Sequence, residues 1–271
     1  MPELPEVETI ARGLAPLVVG RTIEAAEVTW AKSCGGCAET FASRVVGRRI
    51  EGVRRRGKML LVDLDRGMLV AHLKMTGRLW VPPEDFQADN HTHIKMRLSG
   101  GVPLHFRDVR KFGWLRCLST GELAAMDLYR TMGPEPLELD AAGFRKLFAG
   151  RRGAVKALLL NQKVIAGVGN IYADEALFTA KIRPDAKADR LSAKRLDRLY
   201  AALRAALEQG IAENGASFRD YVNARGDAGS FQNSFQVYGK KGHPCPRCQA
   251  ELQAATVAGR TSTYCPRCQK G

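Results

Sequence analysis

The sequence predicts an α+β fold: a β-rich N-terminal half, then a helical half, then a small metal-stapled end. Three observations carry this. Short alternating apolar stretches punctuated by turn residues fill positions 22–106, helical periodicity takes over near Ser119 and holds to about residue 213, and two Cys-Pro-Arg-Cys knuckles stand close to the end of the chain.

The first element is a helix. Val7, Ile10 and Leu14 recur at helical spacing, Pro5 suits a first turn, and Gly20 closes the segment. Glu3 and Glu6 then lie at the positive end of that helix. Pro2 is of special interest, because trimming of Met1 would turn its nitrogen into a secondary α-amine. Such an amine titrates near ~7.7–8, against ~10.4 for a lysine, so it is the readier nucleophile at neutral pH. Attack on a sugar C1′ by a secondary amine gives a cationic iminium that loosens the C2′ proton, so one group can serve both bond-breaking steps. The plainer reading of Pro-Glu-Leu-Pro-Glu is a well-charged helix start, and these residues alone do not decide between the two.

Next come stretches that read as strands, at 22–24, 49–53, 59–64, 68–73, 94–98 and 103–106, separated by Gly, Asp-Arg-Gly and Ser-Gly-Gly. They predict an antiparallel sandwich or barrel. Met132-Gly133-Pro134-Glu135-Pro136-Leu137 has the composition of a linker, which gives an N-terminal domain over 1–132. A helical domain follows over 133–235. Its longest helix carries Leu196, Leu199, Tyr200, Leu203, Leu207 and Ile211 on one face, with Ser192 as N-cap. Positions 214–241 are rich in Gly, Asn, Ser and Asp and read as a long mobile loop, of a length that is usually functional or disordered.

The last segment, 236–271, holds Cys245, Cys248, Cys265 and Cys268, two pairs separated by sixteen residues. That spacing fits one tetrahedral zinc, and with all four positions filled by thiolates the metal is structural. Positions 252–264 between the knuckles form a hairpin turning near Gly259, which puts Arg260 beside the turn, either facing a phosphate or solvated. Cys34 and Cys37 form a further C-x-x-C that reads as a loop feature, with a redox or second metal role as the alternative. Cys117 reads as a core residue.

The chain has 271 residues and a formal charge of +14, which points to a polyanionic partner. No run of about 20 apolar residues and no basic leader ahead of an apolar stretch is present, so nucleic acid is favoured over a membrane surface. An odd cysteine count without an export signal fits a reducing compartment. Several local patterns fit such a partner. Six cations lie between positions 48 and 58, Lys58 among them at the foot of an apolar strand, although a charge run is more simply a solvated face. His72-Leu73-Lys74-Met75-Thr76-Gly77 and Arg110-Lys111-Phe112-Gly113 are turns of like form, able to present Met75 and Phe112 as wedges between bases; core packing is the simpler reading of Met75 alone. Gly167-Val168-Gly169-Asn170 opens a helix in a manner that suits a phosphate.

Taken together, Pro-Glu-Leu-Pro-Glu-Val-Glu-Thr at the start, Arg-Gly-Lys-Met-Leu-Leu around Lys58, His-Leu-x-Met-Thr-Gly at 72–77, Gly-Pro-Glu-Pro-Leu at 133–137, Gly-Val-Gly-Asn-Ile-Tyr at 167–172 and the closing Gly-Arg-Thr-Ser-Thr-Tyr-Cys-Pro-Arg-Cys-Gln resemble bacterial formamidopyrimidine-DNA glycosylases. The resemblance implies a β-sandwich with flanking helices, a helix–two-turn–helix domain ending in a four-cysteine zinc finger, and duplex DNA containing oxidised or abasic nucleotides in the cleft between. It implies a bifunctional glycosylase and AP lyase that excises 8-oxoguanine and formamidopyrimidines through a Schiff base on Pro2, then cuts the strand by β,δ-elimination. In that scheme Glu3 is the general acid and Glu6 a supporting carboxylate. Lys58, Arg260, Asn170, His72 and Lys156 grip phosphates, Met75, Arg110 and Phe112 fill the space left by the everted base, and a loop over 217–238 closes on the lesion. A monomer in the bacterial cytoplasm, associated with the nucleoid, is the expected state.

Two departures stand out. Lys74 occupies a place where a small residue is usual, and Arg107-Asp108-Val109 replaces an Asn-Asp-Pro turn. Two rival functions remain open at this point: an endonuclease VIII-type glycosylase for oxidised pyrimidines, disfavoured by Leu4 where that branch tends to carry glycine, and a zinc-stabilised DNA-binding protein without chemistry.

Overall fold

A computed structural model describes residues 1–217 and 228–271. The chain forms two compact units, one of Met1–Arg130 with Glu213–Gln232, the other of Thr131–Ala212 with Asn233–Gly271.

The first unit is a sandwich of two four-stranded antiparallel sheets. Its elements in chain order are α1 (Leu4–Val18), β1 (Ile23–Val28), α2 (Ala38–Val45), β2 (Ile50–Arg56), β3 (Met59–Leu64), β4 (Met68–His72), β5 (Gly77–Trp80), β6 (Thr92–Leu98), β7 (Val102–Asp108), β8 (Trp114–Leu118), α3 (Thr120–Ala125) and α4 (Asp127–Arg130). One sheet runs β1-β6-β7-β5 and the other β2-β3-β4-β8. Leu60, Val62, Leu69 and Ala71 of one sheet meet Ile94, Met96, Leu104 and Phe106 of the other, and Val7, Ile10, Leu14 and Val18 of α1 join the same core. The six predicted strand stretches correspond to β1, β2, β3, β4, β6 and β7. Two strands escaped the sequence reading. β5 is four residues long, and β8 carries Arg116 and Cys117 in a pattern too short for periodicity to mark. The helix α2 was likewise unforeseen; only Phe41 and Val45 are buried on it.

The second unit contains α5 (Ala141–Phe148), α6 (Val155–Leu160), α7 (Asn170–Thr179), α8 (Ala193–Ala212) and the hairpin β9 (Gln253–Val257) and β10 (Arg260–Tyr264). In α8 the predicted apolar face is buried from Leu196 to Leu207, Ile211 is half-buried, and the Ser192 hydroxyl accepts from the Arg195 N–H at 3.4 Å. Gly133, in the predicted linker, has a packing reason to be glycine: a Cβ there would lie 2.5 Å from the Val164 carbonyl carbon. The cysteine knuckles share a small core with Phe178 of α7, Val237 and Leu252, which is why they group with the helices.

The described residues of the predicted long loop at 214–241 include regular structure. A short 3-10 turn spans Phe231–Ser234, and the backbone N–H groups of Gln236, Val237 and Tyr238 all donate to the Glu175 carboxylate at 2.8–3.0 Å. Within the first unit the loop base is pinned where the Ser217 N–H donates to Gln232 Oε1 at 2.8 Å. Positions 218–227, the middle of the segment expected to close on a lesion, lie outside the described residues. Among the described residues, no helix is long and apolar enough to cross a membrane.

Candidate active site and nucleic-acid interface

Pro2 is buried immediately ahead of α1, and Met1 before it is 48% exposed. Glu3 is the helix N-cap and Glu6 the third residue in. Both carboxylates are nearly sealed from solvent, at 4% and 2% exposure, where the helix dipole favours negative charge. Glu6 does two jobs at once. Its Oε2 accepts the Glu3 N–H at 2.7 Å and its Oε1 accepts the Ala216 N–H at 2.9 Å, so one side chain fixes both the entry to α1 and the base of the 213–232 segment. Glu8 on the same helix pairs with Arg55 of β2 at 2.8 Å.

Lys58 sits in the two-residue turn between β2 and β3, where Arg56 faces Met59. It is buried, like His72 at the end of β4, which lies opposite Met59 on one side and Trp114 on the other. Burial, with the Lys74 and Lys58 ammonium groups close by, drives the His72 pKa down to about 3. The Lys74 N–H donates to His72 Nδ1 at 3.2 Å, which leaves the ring proton on Nε2. His72 is therefore a neutral donor at physiological pH, and a phosphate contact from it would be a hydrogen bond without charge. Of the cation run, Arg54 pairs with Asp63 at 2.8 Å and Arg48 with Asp65 at 3.9 Å, so much of that stretch does serve as an ion-paired face.

Met75 is 38% and Phe112 56% exposed, and the Arg110 guanidinium lies 4.9 Å over the Phe112 ring. Exposure of two large apolar side chains on adjacent turns overturns the core reading of Met75. Both turns are held by Asp108, a residue named in the sequence only as part of the departing Arg107-Asp108-Val109 turn and given no role there. Its fully buried carboxylate accepts from the Thr76 hydroxyl, from the Arg110 N–H at 3.2 Å and from the Gly113 N–H at 2.6 Å. An acid between two arginines in a basic loop was the available signal. The first turn is closed by Gly77, where a Cβ would meet the Leu73 carbonyl oxygen at 2.5 Å.

In the second unit the predicted contacts gather on β10. The Asn170 side-chain amide, at the start of α7, donates to the Thr261 carbonyl at 3.0 Å. Lys156 of α6 is wholly buried; its ammonium donates to Ser262 Oγ at 2.6 Å and pairs with Asp174 at 2.6 Å. Asp174 also accepts the Thr263 N–H at 3.2 Å, and burial holds its carboxyl above the ordinary range despite the lysine. Lys156 thus faces inward onto the strand and not outward to a phosphate. Asp174 and Glu175, both missed by sequence reasoning, stand out as charges in a helix buried from Ile171 to Phe178. Arg260 begins β10 and is exposed beside the Ala258-Gly259 turn, whose two positive φ values of 50° and 70° match the tight hairpin type that the strand twist prefers.

The four cysteine sulfurs lie within 4.8 Å of one another, with Cys248 and Cys265 at 3.5 Å and Cys245 and Cys268 at 3.9 Å. Zn–S bonds of ~2.3 Å in a tetrahedron place sulfurs ~3.8 Å apart, so the donor set fits one zinc. The Ala250 N–H, foremost among its neighbours, brings the Cys248 thiol down to about 7, which makes a thiolate available near neutral pH. With no vacant protein ligand position the ion would be a staple, holding β9 and β10 to the Phe178 core.

Comparison with known proteins agrees along the whole chain. Residues 1–115 match the model of the formamidopyrimidine-DNA glycosylase N-terminal domain, residues 132–222 that of the H2TH domain of the same glycosylases, and residues 242–271 a zinc finger found in FPG and IleRS. A formamidopyrimidine-DNA glycosylase of Desulfitobacterium hafniense is 44% identical over 99% of this chain and all of its own length. Among solved structures, a variant of the Lactococcus lactis FPG in complex with Fapy-dG-containing DNA superposes with a TM-score of 0.92 at 36% identity, covering 100% of both chains. A MutM complex with DNA containing carbocyclic 8-oxo-G gives 0.91 at 37% identity, again over 100% of both.

Proposed function

The chain belongs to the formamidopyrimidine-DNA glycosylase family, and from that premise we infer that it is a DNA repair glycosylase that removes oxidised purines, 8-oxoguanine and formamidopyrimidines, from double-stranded DNA. One observation carries the chemistry: Pro2 directly precedes two carboxylates buried at a helix N-terminus. With Met1 trimmed, the Pro2 nitrogen attacks the deoxyribose C1′ and forms a C–N bond. Glu3 supplies the proton that lets the sugar ring open, and the damaged base departs from C1′. The resulting iminium makes the C2′ proton acidic, so the 3′ phosphate is expelled by β-elimination and the 5′ phosphate by δ-elimination. That lyase step follows from the same intermediate and needs no further nucleophile.

The other residues have supporting parts in this reading. Lys58, His72, Asn170 and Arg260 hold phosphates near the everted nucleotide. Met75, Arg110 and Phe112 occupy the vacated stack, which offsets an unstacking cost of a few kcal/mol. Lys156 acts at one remove, positioning the strand that begins with Arg260. The chain works as a monomer in the cytoplasm, at the nucleoid. Single-turnover excision on duplexes carrying 8-oxoguanine or thymine glycol tests the substrate class. Faster release of 8-oxoguanine is expected; faster release of thymine glycol would move the chain to the pyrimidine-specific branch.

A further inference from the structure

The three cysteines outside the zinc cluster, the neighbours Cys34 and Cys37 and the distant Cys117, line one cavity of about 290 Å³ in the first unit, together with Gly35, Arg44 and Arg116. We infer that Cys34 and Cys37 are a hydroperoxide-reactive dithiol that closes to an internal disulfide within this cavity. This goes beyond the repair reaction and does not depend on it.

The geometry separates the roles of the three thiols. Cys37 is exposed at the N-cap of α2, and its sulfur accepts from the Thr40 N–H at 3.4 Å and the Thr40 hydroxyl at 3.1 Å. Cys34 is buried one turn away, its sulfur 3.5 Å from the Cys37 carbonyl oxygen. Gly35 and Gly36 between them both adopt left-handed φ values, 108° and 110°, a backbone that only glycine takes without strain and that turns the chain sharply between the two thiols. The cavity has room for several water-sized molecules at ~30 Å³ each. The Cys37 thiol donates to Glu39 Oε2 at 3.2 Å, so a carboxylate stands ready to take its proton, while Arg44, paired with Glu122 at 3.0 Å, closes the cavity by donating to the Cys117 carbonyl at 3.0 Å. Exposure makes Cys37 the sulfur that meets peroxide first, and burial pushes the Cys34 thiol up, which suits it to the second step. Cys117 is the bystander: burial pushes its thiol up to about 11.

The chemistry balances in two steps. Cys37 sulfur attacks one peroxide oxygen, the O–O bond breaks, and a sulfenic acid and one water result. Cys34 sulfur then attacks the Cys37 sulfur; the S–S bond forms, the S–O bond breaks, and hydroxide leaves with the Cys34 proton as a second water. Two thiols are oxidised by two electrons and one hydrogen peroxide is reduced.

Hydrogen peroxide treatment of the zinc-loaded full chain, followed by alkylation and tryptic mass spectrometry, tests this. Cleavage after Lys32 and Arg44 isolates Cys34 and Cys37 on one peptide, and cleavage after Arg116 puts Cys117 on another. The first peptide should lose two hydrogens and resist alkylation while zinc is retained and Cys117 stays reduced. Cys34→Ser should stop at a Cys37 sulfenic acid that dimedone traps, Cys37→Ser should leave Cys34 reduced, and excision of 8-oxoguanine should be unchanged in both. An unaltered 33–44 peptide while the zinc cysteines oxidise, or oxidation of Cys117 as fast as the pair, would overturn the inference.

Discussion

At the scale of single residues, His72 makes a direct electrostatic prediction. Its folded pKa of about 3 lies below the ordinary 6.5, so between those values the unfolded chain binds the extra proton and stability falls as pH falls. Each pH unit below 6.5 costs about 1.4 kcal/mol from this group. Between pH 7 and 4.5 the unfolding free energy of the parent protein, read from urea melts, should therefore drop by about 2–3 kcal/mol more than that of His72→Gln. Equal drops would mean that His72 is not held neutral. The neighbouring Lys74 carries a φ of 53°, a left-handed backbone that costs a non-glycine residue about 1 kcal/mol. Lys74→Gly should raise stability by about that amount in the same melts. Asp108 has the opposite character. Asp108→Ala strands the Gly113 N–H, removes the acceptor of the Thr76 hydroxyl, and should lower stability by about 1–3 kcal/mol while loosening both wedge turns.

Among elements, the strand β10 is governed by side chains from two helices. Three side chains from α6 and α7, Lys156, Asn170 and Asp174, grip positions 261–263, and two of them form the buried Lys156–Asp174 pair. Breaking a buried pair leaves a stranded charge, at about 3–5 kcal/mol, whereas replacing both partners by apolar groups removes that penalty. Lys156→Met should thus be strongly destabilising and Lys156→Met with Asp174→Leu much less so, a double-mutant comparison readable by thermal melts. This arrangement was only half legible in the sequence. Lys156 and Asn170 belonged to visible motifs, yet nothing in a linear pattern says that a lysine points inward, because the acid that turns it lies eighteen positions further on. The alternating strands, the α8 stripe and the knuckle spacing were legible because each is a short-range period. β5, β8 and α2 were not, being too short for a period to register, and Asp108 was not, because its meaning lies in hydrogen bonds to two turns.

For the molecule as a whole, charge and zinc set the terms of binding. A formal +14 should make DNA affinity fall linearly on a log–log salt plot, with a slope near −0.9 per phosphate neutralised. Stripping zinc, or Cys248→Ser, should release the β9–β10 hairpin and weaken DNA binding while leaving the sandwich folded, because the Phe178 core loses its staple but the β-sheet core does not. Circular dichroism alongside gel-shift titration would separate those two effects. Pro2→Gly should do the reverse, preserving affinity while slowing base release by orders of magnitude. The whole account rests on the nitrogen of Pro2 becoming the group that bonds to sugar. Borohydride reduction of the protein on abasic-site DNA, followed by peptide mapping of the trapped adduct, tests that most directly. The account predicts a covalent adduct on a chain that has lost Met1, mapped to Pro2; an adduct on Lys58, or trapping at full yield on chains that keep Met1, would contradict it.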